Sequence, residues 1–220
     1  MTNITLVFSP SYLLRSSISQ NPPPLGIAYL AQVLQAKYSV SSLDLNNTIQ
    51  LQKPINQKSA NSSALRQSIK AIEKTNPDYL LISSWTYSMP FTIELINTYK
   101  KLHPETTIIL GGHNSTFLPS LTMKQTKADF LIRGEGQITI LKLLEALTKN
   151  RPFSRIKGIS YKGTNNPARP LIKNLDKLPL LDFSSFNLKD PSSFCLMTAF
   201  GCPYSCTFCS DNCLWKKYRS

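Results

Sequence analysis

Between residue 3 and about residue 150 this chain switches repeatedly between two hydrophobic rhythms, and that alternation leaves very few folds open to it. Ile4-Thr-Leu-Val-Phe8, Tyr38 to Leu45, Thr106-Thr-Ile-Ile-Leu110, Ala128-Asp-Phe-Leu-Ile132 and the near-continuous apolar run Asp78-Tyr-Leu-Leu-Ile-Ser-Ser84 read as strands. A strand of this kind is covered on both faces, as central strands of a parallel sheet are. Between the runs stand segments with apolar residues at helical spacing. These are Leu25 to Gln35 after the Pro22-Pro23-Pro24 start, Ser62 to Lys74 ending before Asn76-Pro77, Met89 to Leu102, and the leucine-rich Gln137 to Thr148. Strands alternating with helices predict an α/β domain over residues 1–150, built on a doubly wound, five-stranded parallel sheet. The Asn-, Gln- and Ser-rich stretch 46–63 is expected to be a mobile loop before the second helix. No internal repeat is present.

Residues 151–192 break the rhythm and read as a linker. Gly158-Ile-Ser-Tyr161 and Arg169-Pro-Leu-Ile172 flank Gly163-Thr-Asn-Asn-Pro167, which predicts a β-hairpin. Leu178 to Phe186 has no clear period and reads as a connector. Ser193 to Thr198 is an apolar strand, with Cys195 expected to be a small buried hydrophobe on it. At Gly201-Cys202-Pro203 the chain is expected to turn sharply into a third unit, residues 193–220.

The chemistry concentrates in that last unit. All five cysteines (Cys195, Cys202, Cys206, Cys209, Cys213) fall in the last 26 of 220 residues. A disulfide framework suits a short secreted protein. The start Met1 to Pro10 has no basic segment and too short an apolar run for a secretory signal. Cys202-Pro-Tyr-Ser-Cys206-Thr-Phe-Cys209 instead places three thiolates on one short loop. A cubane [4Fe–4S] cluster held only by protein takes four thiolates, so three leave one iron open to another ligand. With Cys213 as fourth ligand, a zinc site or an ordinary ferredoxin-type cluster is the alternative.

Charge narrows the partners less. The chain carries 25 Lys and Arg against 12 Asp and Glu, for a net charge of +13. A basic surface raises the question of nucleic acid. The positive residues are scattered, however, and the nearest thing to a patch is Lys216-Lys217-Tyr218-Arg219, which a solvated edge explains equally well. Nucleic acid is not expected as a partner. No apolar run approaches the ~18 residues needed to cross a bilayer, so no membrane partner is expected either. Clustered thiols without a targeting signal imply a reducing, cytoplasmic location.

The cysteine loop, within Met197-Thr-Ala-Phe-Gly-Cys-Pro-Tyr-Ser-Cys-Thr-Phe-Cys209, resembles the cluster loop of the radical S-adenosylmethionine superfamily. The resemblance implies a [4Fe–4S] cluster on Cys202, Cys206 and Cys209. Its open iron would chelate the amino and carboxylate groups of S-adenosylmethionine, which an electron cleaves to methionine and a 5′-deoxyadenosyl radical. Phe208 would pack near the adenine, or simply pack within the loop.

The α/β half has its own resemblance. Ligands of open α/β sheets bind beyond the carboxyl ends of the strands. Here those ends are followed by Leu25-Gly26, Ser83-Ser84-Trp85-Thr86, Gly111-Gly112-His113-Asn114 and Arg133-Gly134-Glu135-Gly136. Pro23-Pro-Leu-Gly-Ile-Ala-Tyr-Leu30, Gly111-Gly-His113 and Asp129-Phe-Leu-Ile-Arg-Gly-Glu-Gly136 look like the cobalamin-binding domain of cobalamin-dependent radical S-adenosylmethionine enzymes. Gly158-Ile-Ser-Tyr161 and Leu175-Asp-Lys-Leu-Pro179 fit that family's linker. The resemblance implies a Rossmann- or flavodoxin-like fold, with a corrinoid contacted by Leu25, Gly26, Ser83, Trp85, Gly111, Gly112, His113, Gly134 and Glu135. The chain departs from the Asp-x-His-x-x-Gly pattern, whose histidine ligates cobalt: its two histidines, His103 and His113, stand outside that frame. Cobalamin without a histidine ligand is therefore expected. His103 reads as a structural residue at a helix end.

Only 11 residues follow Cys209. The resemblance then implies the first strand and cluster loop of an incomplete (β/α) barrel, inactive alone, with a second polypeptide or a longer chain supplying the rest. A reductant such as flavodoxin or ferredoxin and a small-molecule substrate complete the expected partners. Methyl transfer to an unactivated carbon is the reaction the resemblance favours. Two rival expectations are a non-catalytic corrinoid- or nucleotide-binding module with a degenerate tail, and a flavodoxin-like interaction domain with a zinc- or cluster-stabilised tail.

Overall fold

The computed structural model describes residues 2–10, 24–49, 57–186, 195–215 and 217–220, with 57–60 and 212 described in backbone only. Five parallel strands form where the apolar runs predict them: β1 (Asn3–Phe8), β2 (Ser39–Asp44), β3 (Tyr79–Ser84), β4 (Thr107–Gly112) and β5 (Phe130–Ile132). Two antiparallel strands, β6 (Ile159–Tyr161) and β7 (Thr164–Asn165), extend the same sheet, giving the order β2-β1-β3-β4-β5-β6-β7. The first five strands thus run 2-1-3-4-5, the flavodoxin-like arrangement.

Period-two alternation within the buried strands sends side chains to two cores. Ile4, Leu6, Leu81 and Ile109 face one side, where α1 (Leu25–Gln35) contributes Ile27, Ala31 and Leu34, and α7 (Gly136–Thr148) contributes Ile140, Leu143 and Leu144. Val7, Leu80, Ile82, Ile108 and Leu110 face the other, against Ala64, Ile69 and Ile72 of α3 (Gln57–Glu73) and Leu95, Ile96 and Tyr99 of α4 (Met89–Leu102). Each fully buried aliphatic side chain contributes roughly 1.5–3 kcal/mol. The two cores therefore hold the central strands, and with them the strand ends, in fixed register.

Several elements differ from the sequence expectation. The stretch after β2 forms a short helix, α2 (Leu45–Thr48), because the Asp44 carboxylate accepts the Asn46 N–H at 3.0 Å and caps it; α3 already begins at Gln57. The rest of the predicted mobile loop, and residues 11–23 with Pro22 and Pro23, lie outside the described residues. Two short helices, α5 (His113–Phe117) and α6 (Pro119–Gln125), follow β4 where no helical period was legible. The hairpin closes earlier than predicted. Lys162 and Gly163, at φ 46° and 77°, form a two-residue turn that pairs Tyr161 with Thr164, and the hairpin joins the sheet instead of standing apart. Arg169 lies beyond it and donates to Thr139 Oγ1 at 2.7 Å.

The expected strand Ser193 to Thr198 is not seen at 195–198, which are irregular and exposed, Cys195 included. An apolar segment without a paired neighbour leaves its backbone groups to water. Among the described residues the nearest pairing is the single antiparallel bridge Phe200–Arg219 further on.

Candidate functional site

Chain order places β1 between β2 and β3, so crossovers leave β1 and β3 on opposite faces and a crevice opens beyond their carboxyl ends. Its floor is hydrogen-bonded. Ser9 N–H donates to Ser83 O at 3.0 Å. Thr92 Oγ1 donates to Ser88 O at 2.8 Å, so Ser9 Oγ, 2.7 Å away, is the donor to Thr92. Ser84 is buried and donates its hydroxyl to Met89 Sδ at 3.2 Å. These contacts fasten the ends of β1 and β3 to α4.

One glycine here has no substitute. Gly112 pairs with Ser84, at φ 104° and ψ −165°, and a Cβ on it would stand 2.2 Å from Ser84 O. Gly111 beside it has no such constraint, since a Cβ there would lie 3.9 Å from Ile82 O. The chain then enters α5 with His113, whose ring lies 5.1 Å from Trp85 and 6.2 Å from Phe117. Trp85 also packs 5.9 Å from Tyr87. Thr86 Oγ1 donates to Asn114 Oδ1 at 2.8 Å and ties the β3 loop to α5. Trp85, Tyr87 and Phe117 remain exposed, so the edge carries a water-facing aromatic wall.

At the end of β5, Gly134 N–H donates to Thr116 Oγ1 at 3.0 Å, and a Cβ at Gly134 would meet nothing within 4 Å. Gly26, in the first turn of α1, likewise faces open space. Ser83, Trp85, Gly111, Gly112, His113 and Gly134 thus stand on one strand-end edge, with Leu25 and Gly26 at the start of the helix leaving it. Arg133 turns away: its guanidinium donates to Ile159 O at 3.2 Å and to Asn166 O, inside the hairpin. Glu135 is also committed elsewhere. Its carboxylate is buried, accepting Ile172 N–H on Oε2 at 2.5 Å and Arg219 Nη2 on Oε1 at 2.5 Å. His103, at the end of α4, stacks on Tyr99 at 4.5 Å and lies 3.0 Å from Glu73, at the opposite end of the strands from this edge.

The cysteine loop is closed at its base. Phe200 and Arg219 exchange backbone hydrogen bonds of 2.8 and 2.9 Å. Gly201, at φ 85°, makes the turn, where a Cβ would stand 2.4 Å from Lys217 O. Cys202 and Cys206 are exposed and Cys209 half-buried, with Cys209 N–H donating to Cys206 O at 3.1 Å. The short helix α8 (Asp211–Trp215) follows and carries exposed Cys213. Phe208 is 91% exposed, so it does not pack within the loop. Among the described residues, no three His, Cys, Asp or Glu side chains are gathered closely enough to hold a metal ion. The donor chemistry nonetheless suits a cluster: three thiols on eight consecutive residues, water-facing at two positions, on a loop whose ends are pinned. The open space at Gly26 and Gly134 beside the aromatic wall likewise suits a bulky ligand that approaches backbone closely.

Sequence reasoning missed what holds this loop to the α/β domain. Phe200 is buried between Tyr29 of α1 at 5.7 Å and Trp215 at 5.3 Å, and the Arg219 guanidinium lies 5.8 Å from both the Phe200 and Trp215 rings. The sequence leaves Arg219 in either a basic patch or a solvated edge; it is instead largely buried in an ion pair. Only the burial of its partner, 84 residues away, reveals that role.

Comparison with known proteins adds the family. Residues 13–144 match the family described as B12 binding domain. This chain belongs to that family. It is 31% identical over 220 residues to an uncharacterized methyltransferase of Pyrococcus horikoshii, covering 95% of this chain and 45% of that protein. It is 26% identical to an anaerobic magnesium-protoporphyrin IX monomethyl ester cyclase of Rubrivivax gelatinosus, covering 93% of this chain and 38% of that one. The chain therefore spans less than half the length of these relatives. Its fold is that of the cobalamin-dependent S-adenosylmethionine radical enzyme OxsB, solved with aqua-cobalamin and S-adenosylmethionine bound, at a TM-score of 0.76 and 20% identity over 100% of this chain and 30% of that one. No helix among the described residues is long and apolar enough to cross a membrane.

Proposed function

We propose that this chain is the corrinoid-holding and cluster-bearing part of a cobalamin-dependent radical S-adenosylmethionine enzyme, working in methyl transfer to an unactivated carbon. The observation that carries the reading is the strand-end edge at the β1/β3 switch point, lined by Gly26, Gly112 and Gly134 and walled by Trp85 and His113, in a chain matched to the B12 binding domain. Bound there, cobalamin would supply methyl-transfer chemistry, and Cys202, Cys206 and Cys209 would hold a cluster that supplies electrons for cleaving S-adenosylmethionine; the cofactors would carry the hard chemistry.

The chain's own residues do the holding. Gly112 lets β4 approach β3 closely at Ser84, and Trp85 and Phe117 would shield one flank of the ligand from water. His113 packs 5.1 Å from Trp85 in the wall of the edge and stands outside the Asp-x-His-x-x-Gly pattern, so a cobalt there would be held without a histidine ligand. Phe208, 91% exposed, is the residue we assign to the adenine of S-adenosylmethionine. The substrate pocket and the electron donor, a flavodoxin- or ferredoxin-like protein, belong to parts and partners beyond these residues. One relative is named a cyclase, so a reaction other than methyl transfer is the alternative.

Titration with aquacobalamin tests the corrinoid half. Stoichiometric binding that weakens in Gly134→Val and Trp85→Ala, with a cobalt(II) EPR spectrum free of nitrogen splitting and unchanged by His113→Ala, supports it. Failure to bind, or nitrogen splitting lost on His113→Ala, contradicts it. A second reading, a corrinoid module whose cysteine tail binds zinc, draws on the ungathered thiols and on Cys213 as a fourth. Zinc retained with four sulfur ligands would favour that reading.

A further inference from the structure

We infer that Glu135 and Arg219 form a latch that positions the cysteine loop on the corrinoid edge, an inference that rests on the functional reading above. The latch is built at both of its ends. Glu135 follows Gly134 directly, so its backbone is part of the edge, yet its side chain is turned inward and only 3% exposed. One carboxylate oxygen takes the Ile172 N–H and the other takes Arg219 Nη2, both at 2.5 Å. Arg219 Nη1 donates to Ile172 O at 2.6 Å, completing a ring of three residues from three separate stretches of chain. Guanidinium suits this task because its planar fork satisfies a carboxylate and a carbonyl at once.

The other end is the base of the loop. Arg219 is itself the residue paired with Phe200, and residues 201–218 between them carry all three candidate ligands. Phe200 is wedged between Tyr29 of α1 and Trp215, while Arg219 lies over both Phe200 and Trp215. The loop therefore has two anchors, an ionic one on the end of β5 and an aromatic one on the first turns of α1. Those are the two elements that also present Gly134 and Gly26. Cys202 and Cys206 are exposed and Cys209 half-buried, whereas the base of the loop is buried at Phe200 and largely buried at Arg219, so the base positions the loop on the domain. Glu135 and Arg219 are positioning residues: neither reaches a reacting group, and both fix how far a cluster on the loop stands from a corrinoid on the edge.

The pair is buried, and removing one partner strands the other without water. Hydrogen exchange on the chain without cofactors reads the contact directly. In Glu135→Gln and Arg219→Gln, protection of the Phe200 and Arg219 amides is expected to fall at least ~10-fold, while amides of β1, β3 and β4 keep theirs. Arg219→Lys, which keeps the charge but not the fork, is expected to fall between. After reconstitution, corrinoid affinity of Arg219→Gln is expected to stay within ~2-fold of the unaltered chain, since Arg219 is not among the residues of the edge. The distance between cobalt(II) and the reduced cluster, read by pulsed EPR, is expected to be single-valued in the unaltered chain and spread in Glu135→Gln.

Unchanged protection at Phe200 and Arg219 overturns the latch. So does loss of protection shared equally by β3 and β4, which marks general destabilisation, or an unchanged, narrow distance in the variant. An unaltered chain that takes up corrinoid but no iron overturns the positioning role together with the cluster reading. The amide data would then separate that failure from a failure of the contact.

Discussion

Gly112→Ala is the sharpest perturbation of the corrinoid edge. The residue lies at φ 104° and ψ −165°, a region that only glycine occupies at ease and that costs other residues about 1–3 kcal/mol. The added methyl would also stand 2.2 Å from Ser84 O, 3.1 Å from Ser84 N and 3.2 Å from Ser84 C. All three are backbone atoms of the paired strand, so no side chain can swing aside. Forcing atoms into a packed site adds about 1–3 kcal/mol more. The expected loss is about 4 kcal/mol, a large share of the ~5–15 kcal/mol typical of a whole domain. With a urea m-value of about 2 kcal/mol/M, the unfolding midpoint should fall by about 2 M. Gly111→Ala is the control, its new Cβ 3.9 Å from the nearest carbonyl, and should shift stability by less than about 1 kcal/mol. Urea unfolding followed by circular dichroism, with aquacobalamin uptake measured in parallel, decides it. Equal midpoints for the two variants would refute the steric argument and the place given to Gly112.

Three further outcomes follow from the geometry. Phe200→Ala removes a buried ring from between Tyr29 and Trp215, worth about 3–5 kcal/mol in a core, and should free the cysteine loop for proteolysis without unfolding the sheet; cleavage of 195–220 at the unaltered rate would count against a docked loop. Cys202→Ala, Cys206→Ala and Cys209→Ala should each abolish S-adenosylmethionine-responsive iron, whereas Cys195→Ala and Cys213→Ala, both exposed and outside the triplet, should retain it; iron analysis with EPR checks this. Burial pushes the Tyr99 phenol up to about 12, so its folded form prefers to stay neutral. Its contribution is intact below the unfolded value of about 10 and is lost as pH rises from there towards the folded value. The stability gap between the parent chain and Tyr99→Phe should therefore shift in favour of the phenylalanine above about pH 10, measured by urea midpoints on either side.

Much of this fold was written in local pattern. Leu25–Gln35 and Met89–Leu102 form helices with the boundaries their periodicity predicts, because one apolar face of each meets the sheet. The parallel strands were legible for the same reason: Leu80, Leu81 and Ile82 are apolar in succession because both faces are covered. What escaped was set by distant contacts. The α5 and α6 helices carry polar residues and are held by ties such as Thr86 to Asn114 and the Thr122 hydroxyl to the Asn114 carbonyl, which no period announces. The hairpin register depended on a two-residue turn at Lys162-Gly163, whereas the longer Gly163 to Pro167 run had suggested a wider loop. In the site, glycine positions and Trp85 could be picked out from strand ends. The inward turn of Glu135 could not, because its partner Arg219 lies in another unit of the chain and looked like surface charge. Cys195 was assigned to a strand from its apolar neighbours, yet it lies exposed in irregular chain.

Mössbauer spectroscopy on the chain reconstituted with iron-57 and sulfide without oxygen addresses the central claim, that three thiolates hold a cubane and leave one iron to a small sulfonium ligand. The account predicts about four irons per chain, one of them distinct and shifted when S-adenosylmethionine is added. Four equivalent sulfur-ligated irons indifferent to S-adenosylmethionine, or no bound iron, would contradict it.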